Sequence, residues 1–541
     1  MARIGKYVID SLTRSMYEDS RCIYREYIQN AADQIDLARE QHLDENDYYE
    51  VHVRIFRNQR RIEIEDTATG VSAGNRDTLK DVATSQKRRG QHKGFRGIGR
   101  LGGLGYCSSL TFETSYKGED VKTLMHWDAA KMNRIVDDEL DESEAGNVID
   151  DCTSFEEQPE VADKHYFKVI MDNVTDDRLL DVKNIRDYLS MVSPVDYPTQ
   201  FGVFASQIKR YVQQNGITLD TYNIYVGDEH SEEKIYKSYT TKIKDTRNIK
   251  DKNRNGEYDI KGIKIFDKRN SDGNLIYWGW YSISELPGQI PSYNVAYGMR
   301  LRCKNIQVGD ERTCRNFFLA DGDKRFAQYF FGELHVETNQ LMPDARRDYL
   351  RECEYRGTFE SLVRQDFLVL KDLCNEASGI RGNIKAITEN DRKIKDIEKK
   401  RETGSFLSET EIQKSNEDYE RFKKNKERAQ QQLERKKQET EQNDSPLGFI
   451  FGTLPTPEPA LSIGPAAPMS SVDGEFAPDA PTDPAPDDQQ PKLRTDNVLY
   501  KKFGVKEKKV INAVYNAIYI AISDEDMREG LIKKIEKELT K

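Results

Sequence analysis

Apolar and polar positions alternate with period two through Val51-His52-Val53-Arg54-Ile55-Phe56 and again through Arg61-Ile62-Glu63-Ile64-Glu65, which predicts two strands around a polar turn. Leu110–Ser115 and Lys164–Met171 carry further strand patterns. Residues 6–40 instead read as helical, with Tyr7, Val8, Leu12 and Met16 in an apolar stripe before Glu18-Asp19-Ser20 breaks the chain and a second helix begins. The acidic stretch Asp137–Glu160 reads as a surface insertion. Leu179–Met191 reads as a helix that stops before Ser193-Pro194, so a first domain is expected over residues 1–194.

Residues 195–355 alternate strands, such as Asn223–Gly227 and Gly262–Phe266, with short helices, and form the expected second domain. Within it the aromatic run Ile276–Ile283 reads either as an edge strand of a mixed sheet with a solvated face or as part of a second domain that completes a site begun in the first. Residues 356–442 are charged and helical with a break at Gly404-Ser405, the pattern of a helical hairpin. Eleven of the seventeen prolines fall between Pro446 and Pro491, so residues 443–493 are expected to be a flexible linker. Residues 494–541 then read as a small helical module, marginal alone and therefore expected to dock or dimerise. The fold class expected is α+β.

Composition narrows the chemistry. The net charge of −11 gives no global basic footprint for nucleic acid. Seven scattered cysteines without a Cys-x-x-Cys pair argue against a disulfide framework or zinc site, and no apolar run reaches the ~20 residues of a membrane helix. A soluble, cytoplasmic protein is expected. On the second helix Glu26, Asn30 and Asp33 fall at i, i+4 and i+7 and share one polar face. A carboxylate one turn from a carboxamide can supply a base for water and an oxygen ligand for Mg²⁺; the competing account is a solvated helix face. The second strand runs into Asp66-Thr67-Ala68-Thr69-Gly70, where a carboxylate can accept a hydrogen bond from the amino group of a base. Downstream, Gly94-Phe95-Arg96-Gly97-Ile98-Gly99 offers backbone N–H groups to phosphates, with Lys87 in the cation run before it.

Helix with Glu and Asn, strand ending in Asp-x-x-x-Gly, then Gly-x-x-Gly-x-Gly resembles, in order and spacing, the three nucleotide-binding boxes of the GHKL ATPases, the superfamily of DNA gyrase, the ninety-kilodalton heat-shock chaperone, histidine kinases and MutL. The resemblance implies a two-layer α/β sandwich that binds ATP and Mg²⁺. It makes Glu26 the general base, Asn30 the Mg²⁺ ligand and Asp66 the adenine contact. Asp33 joins the nucleotide site, Gly70 shapes the adenine pocket, and Gly94, Phe95, Arg96, Gly97, Ile98 and Gly99 line the phosphates under a lid from about Val71 to Lys93. Two departures stand out: Ala68 replaces the usual first glycine of the adenine box, and no threonine is evident on the late strand to close the pocket. Further on, Pro343-Asp344-Ala345-Arg346-Arg347-Asp348 before a helix is similar to the heat-shock chaperone's middle domain, implying that Arg347, or failing it Arg346, reaches the γ-phosphate. Over residues 1–350 the resemblance implies a nucleotide-gated clamp, expected as an ATP-gated homodimer acting on a protein client or operon partner. The alternative is a DNA-associated ATPase resembling MutL or the MORC proteins, in bacterial defence or DNA maintenance.

Overall fold

The computed structural model describes residues 3–84, 93, 97–246, 256–443 and 445–452, with 511, 514–515, 518 and 530–536 farther along. Chain order begins with α1 (Tyr7–Leu12), α2 (Cys22–Glu40), β1 (Glu50–Phe56), β2 (Arg61–Asp66), β3 (Ser109–Ser115) and β4 (Val121–Asp128). Then come α3 (Ala129–Asp137), α4 (Ala145–Asp151), β5 (Thr153–Pro159), β6 (Tyr166–Asp172), α5 (Val182–Val192) and α6 (Gly202–Gln214). β7 (Asn223–Gly227) and β8 (Glu232–Lys234) complete an eight-stranded sheet of order β5-β4-β3-β6-β2-β1-β7-β8.

β1 and β2 pair as the alternation predicts, Val53 opposite Ile64 and Ile55 opposite Ile62, and their inward residues are fully buried. α2 lies over this face with Ile23, Tyr24, Ala31, Ala32 and Ile35 in the same core. The sheet continues past residue 194, because β7 pairs in parallel with β1, Ile224 opposite Val51. Asp137–Glu160 is not a surface insertion: it holds α4 and β5, which pairs with β4 along the sheet edge. An edge strand has one neighbour and needs few apolar residues, so its acidic composition hid it. In α1, Tyr7 and Val8 are exposed and Ile9 is the buried position, since a six-residue helix packs only one of its turns.

The second half brings a short hairpin, β9 (Lys242–Lys244) with β10 (Glu257–Asp259), and then β11 (Gly262–Arg269), β12 (Leu275–Ile283), β13 (Gly298–Cys303), β14 (Ile306–Val308) and β15 (Phe331–Val336). The last five form a sheet of order β11-β12-β15-β13-β14. The aromatic strand β12 is internal rather than an edge, paired on both sides and buried along nearly its whole length. Its alternate residues serve two cores. Trp278 and Trp280 pack with Phe201, Ile208 and Tyr239 on the α6 side, while Tyr277 and Tyr281 join Phe359 and Val363 on the other.

Those last two belong to α7 (Glu354–Thr403), whose apolar positions Phe359, Val363, Phe367, Leu370, Cys374, Ala377 and Ile380 recur at helical spacing. Gly404, at φ +63°, ends it in the left-handed conformation a helix C-terminus favours. α8 (Glu409–Gln442), capped by the Ser408 hydroxyl on the Glu411 amide, returns along it. The segment expected to open the linker instead docks: Leu447 and Ile450, the latter in α9 (Phe449–Gly452), are buried in the second core. The rest of the linker lies outside the described residues. In a separate unit, Gly464–Lys541, Ile511, Tyr515 and Ile518 are buried at helical spacing, and the Tyr515 hydroxyl donates to Glu536 at 2.9 Å.

Candidate active site

The polar face of α2 is buried, which excludes the solvated-face account: Glu26 is 7% and Asp33 3% exposed, with Asn30 intermediate between them. Glu26 is held by its neighbour, the Arg25 guanidinium donating to Oε1 at 3.1 Å with both side chains almost fully covered. Burial opposes the charge on Arg25 most strongly, but the Glu26 carboxylate together with Cys22, Tyr188 and Tyr17 outweighs it and keeps the guanidinium above its ordinary range. The glycine segment closes on the same carboxylate. A Cβ on Gly99 would stand 2.7 Å from Glu26 Oε2, so any larger residue there would have to displace the carboxylate. Behind it the chain runs into a 3₁₀ turn over Gly99–Gly105 rather than an α-helix, pinned by the Tyr27 hydroxyl, which donates to the Arg100 carbonyl and accepts from the Gly103 amide at 3.1 Å each.

Asp66 ends β2 with 4% exposure and accepts the Ala68 amide at 3.1 Å. Ala68 is fully buried, and its carbonyl lies 2.7 Å from Nδ1 of His165. Gly70 has φ +66°, and a Cβ there would sit 1.9 Å from the Ser115 carbonyl oxygen, so no other residue fits the turn. On β6, Phe167 is the residue opposite Asp66. A buried threonine does lie nearby, Thr114 on β3, but its hydroxyl accepts the Val71 amide at 2.8 Å and donates to the Tyr166 carbonyl at 3.0 Å. Gly99 adjoins Glu26, Gly97 has φ +70° and Ile98 packs with Met16 and Tyr17, whereas Lys87, Gly94, Phe95 and Arg96 lie outside the described residues.

Arg347 comes to the same place from the other half of the chain. It is buried, and one terminal nitrogen donates to Gln29 Oε1 at 2.5 Å and to the Lys93 carbonyl at 3.1 Å. Its Nε is buried without a hydrogen-bond partner among the described residues. Burial, reinforced by the charge of Arg25, pushes Arg347 below its ordinary range. Arg346 is exposed, and its backbone carbonyl takes the Arg25 guanidinium at 2.7 Å. The loop is tightly held: Asp344 accepts the amides of Asp348 and Tyr349, the Arg347 carbonyl accepts the Gly309 amide at 2.6 Å, and Arg347 itself adopts φ +56°. A bulky residue in that region costs roughly 1–3 kcal/mol, a strain that gathers at functional sites.

The family model of the histidine kinase-, DNA gyrase B- and HSP90-like ATPases matches residues 26–158. This segment is a GHKL-type ATPase domain. Its matched span starts at Glu26 and takes in Asp66, Gly70 and the glycine segment. GHKL domains bind ATP with Mg²⁺, and the residues present suit that pair: an oxygen-donor carboxamide at Asn30, glycine backbone at Gly97 and Gly99, and an Arg347 Nε buried without a partner among the described residues. No curated protein matches the chain. Among the described residues no helix is long and apolar enough to cross a membrane.

Several residues around this site carried no sequence motif. Gln29, one turn from Asp33 on the α2 face, was open to a helical-wheel argument. Lys93 joins four groups: its amide donates to Asp33 at 2.7 Å, its ammonium pairs with Asp36 at 2.6 Å and Asp220 at 2.9 Å, and its carbonyl holds Arg347. Lys304 stands at the tip of the β13–β14 turn, where burial and the charge of Lys93 lower its pKa. Nothing in the local sequence around Lys304 or Asp220 points to these neighbours.

Proposed function

We propose that the chain is an ATP-hydrolysing, nucleotide-gated clamp that works as a homodimer on a protein client. Glu26 takes a proton from the water that attacks the γ-phosphorus, and the bond to the leaving ADP oxygen breaks, giving ADP and phosphate. Arg25 holds the Glu26 carboxylate in place through its guanidinium. Asn30 would hold Mg²⁺, which would supply positive charge to offset the negative charge of the phosphates. Asp66 accepts the adenine amino group beside Gly70, and the segment Gly94–Gly99, with Asp33 and Lys87, surrounds the phosphates. Arg347 stabilises charge on the γ-phosphate from the second half of the chain.

The observation that carries this reading is the burial of Arg347 against Gln29, 318 residues away in sequence and three residues from Glu26 on the same helix. An arginine bound for an exposed ion pair with Asp348 or Glu352 would not be buried there.

Glu26→Gln in the full chain tests the assignment. Calorimetry should find ATP binding retained while phosphate release drops by about 10²–10⁴, the usual cost of losing a general base. Sedimentation of this variant should shift from monomer to dimer with ATP and Mg²⁺ but not with ADP. Binding lost together with turnover would make Glu26 a structural carboxylate, and an unchanged sedimentation coefficient would remove the clamp.

A further inference from the structure

The second sheet contains a group of charges sealed from solvent. Glu333 on β15 is fully buried and accepts from Lys237 Nζ at 2.9 and 3.0 Å, from the Tyr197 hydroxyl at 2.6 Å and from the Tyr239 hydroxyl at 3.2 Å. It also pairs with Arg302 at 2.5 Å and meets His335 Nε2 at 3.0 Å. Removing one partner from such a set strands a buried charge, so the set holds its geometry stiffly. Nothing in the proposed chemistry uses it.

The set does not end within the second sheet. Lys237 also donates to Asn305 Oδ1 at 2.8 Å, and the Asn305 carboxamide donates to the Asp220 carbonyl at 2.7 Å. Arg302 meanwhile reaches the Met191 carbonyl at 2.6 Å, at the end of α5. The Asp220 carboxylate pairs with Lys93, whose side chain is 3% exposed, and Lys93 holds Asp33 by its amide and Arg347 by its carbonyl. Asp220 and Asp36 outweigh the burial of the Lys93 ammonium and raise its pKa. Every link from Glu333 to Arg347 is thus a hydrogen bond or ion pair of 3.1 Å or less.

We propose that Asp220 and Lys93 are positioning residues for hydrolysis: their ion pair ties the rigid Glu333–Lys237–Asn305 set to the Lys93 backbone and so fixes Arg347 against the catalytic helix. This rests on Arg347 acting at the γ-phosphate. The pair touches no reacting atom, and its effect runs through the placement of Arg347, where a displacement of about 1 Å can cost up to a hundredfold in rate.

The test is a double-mutant cycle in the full chain, reading kcat, KM and thermal unfolding together. Asp220→Asn keeps the shape of the side chain and its backbone carbonyl while removing the charge. It should lower kcat ten- to a hundredfold with KM within about threefold, and in an Arg347→Ala background it should lower kcat no further. Lys93→Arg, which keeps the charge and the backbone contacts, should retain more activity than Lys93→Met. If Asp220→Asn lowers the melting temperature enough to obscure the rates, the Lys93→Arg and Lys93→Met pair carries the same comparison. Full additivity of Asp220→Asn with Arg347→Ala, or normal kcat in both Asp220→Asn and Lys93→Met, overturns the positioning role while leaving Arg347 as assigned. A fully active Arg347→Ala overturns the assignment of Arg347 and this inference with it.

Discussion

Replacing Arg347 with alanine separates catalysis from folding, because the two effects can be weighed against each other. The side chain makes two charge-assisted hydrogen bonds, to Gln29 and to the Lys93 carbonyl. At ~1.5–3 kcal/mol each these contribute about 3–6 kcal/mol to the folded state. Against them stands the cost of burying a guanidinium close to Arg25, several kcal/mol for an ion taken out of water. The two terms nearly cancel, so Arg347→Ala should change stability by no more than about 2 kcal/mol. Loss of a preorganised donor to the transition state is worth about 2.7–4 kcal/mol, or 10²–10³ in kcat. Steady-state phosphate release against ATP concentration, with thermal unfolding on the same samples, reads both quantities. The expected pattern is a kcat loss of that size with KM almost unmoved and a melting temperature close to that of the unaltered protein. Arg347→Lys should restore little, since an ammonium cannot reproduce the planar fork that meets Gln29 and leaves Nε for a third partner. A normal kcat, or a rate loss that only follows unfolding, would refute the reasoning.

Three other outcomes follow from the geometry. Asn30→Ala should lose the Mg²⁺-dependent part of ATP binding, measured by calorimetry with and without the ion; unchanged Mg²⁺ dependence would take the ligand role from Asn30. Gly70→Ala should abolish nucleotide binding or folding, read by calorimetry and circular dichroism, because its Cβ would sit 1.9 Å from the Ser115 carbonyl oxygen; a well-folded variant that binds normally would mean the turn can shift. Burial lowers the pKa of His335 to about 4, so the unfolded chain takes up that proton first as pH falls below 6.5. Stability is therefore fully present above pH 6.5 and is lost toward pH 4, by roughly 3 kcal/mol at most for this group. Urea unfolding should show His335→Gln losing less than the unaltered protein over that window, and equal losses would remove His335 as the cause.

The parts legible from sequence share one property: their signal is local. Glu26, Asn30 and Asp33 stand at helical spacing, Asp66 and Gly70 stand at the end of an alternating strand, and the Arg347 loop is marked by its proline and by the helix that follows. β12 misled because aromatic residues on both faces suit an edge strand over solvent as well as a central strand between two cores. The pairing of β7 with β1 joins residues more than 170 apart in parallel, and no turn between them records it. Arg25 was hidden for another reason. A charged residue beside a candidate base looks like ordinary helix decoration until its burial is known.

The fifty-residue helix α7 begins seven residues after Arg347, and its first half is clamped to the second sheet as far as Ile380. From Ile380 to Thr403 it continues for 23 residues, about 35 Å at 1.5 Å per residue, braced by α8. Mechanically this is a boom mounted beside the arginine loop. A tilt of about 5° where it leaves the core at Ile380 would carry the far end through about 3 Å, so a small change at the edge of the second core would be legible at the tip.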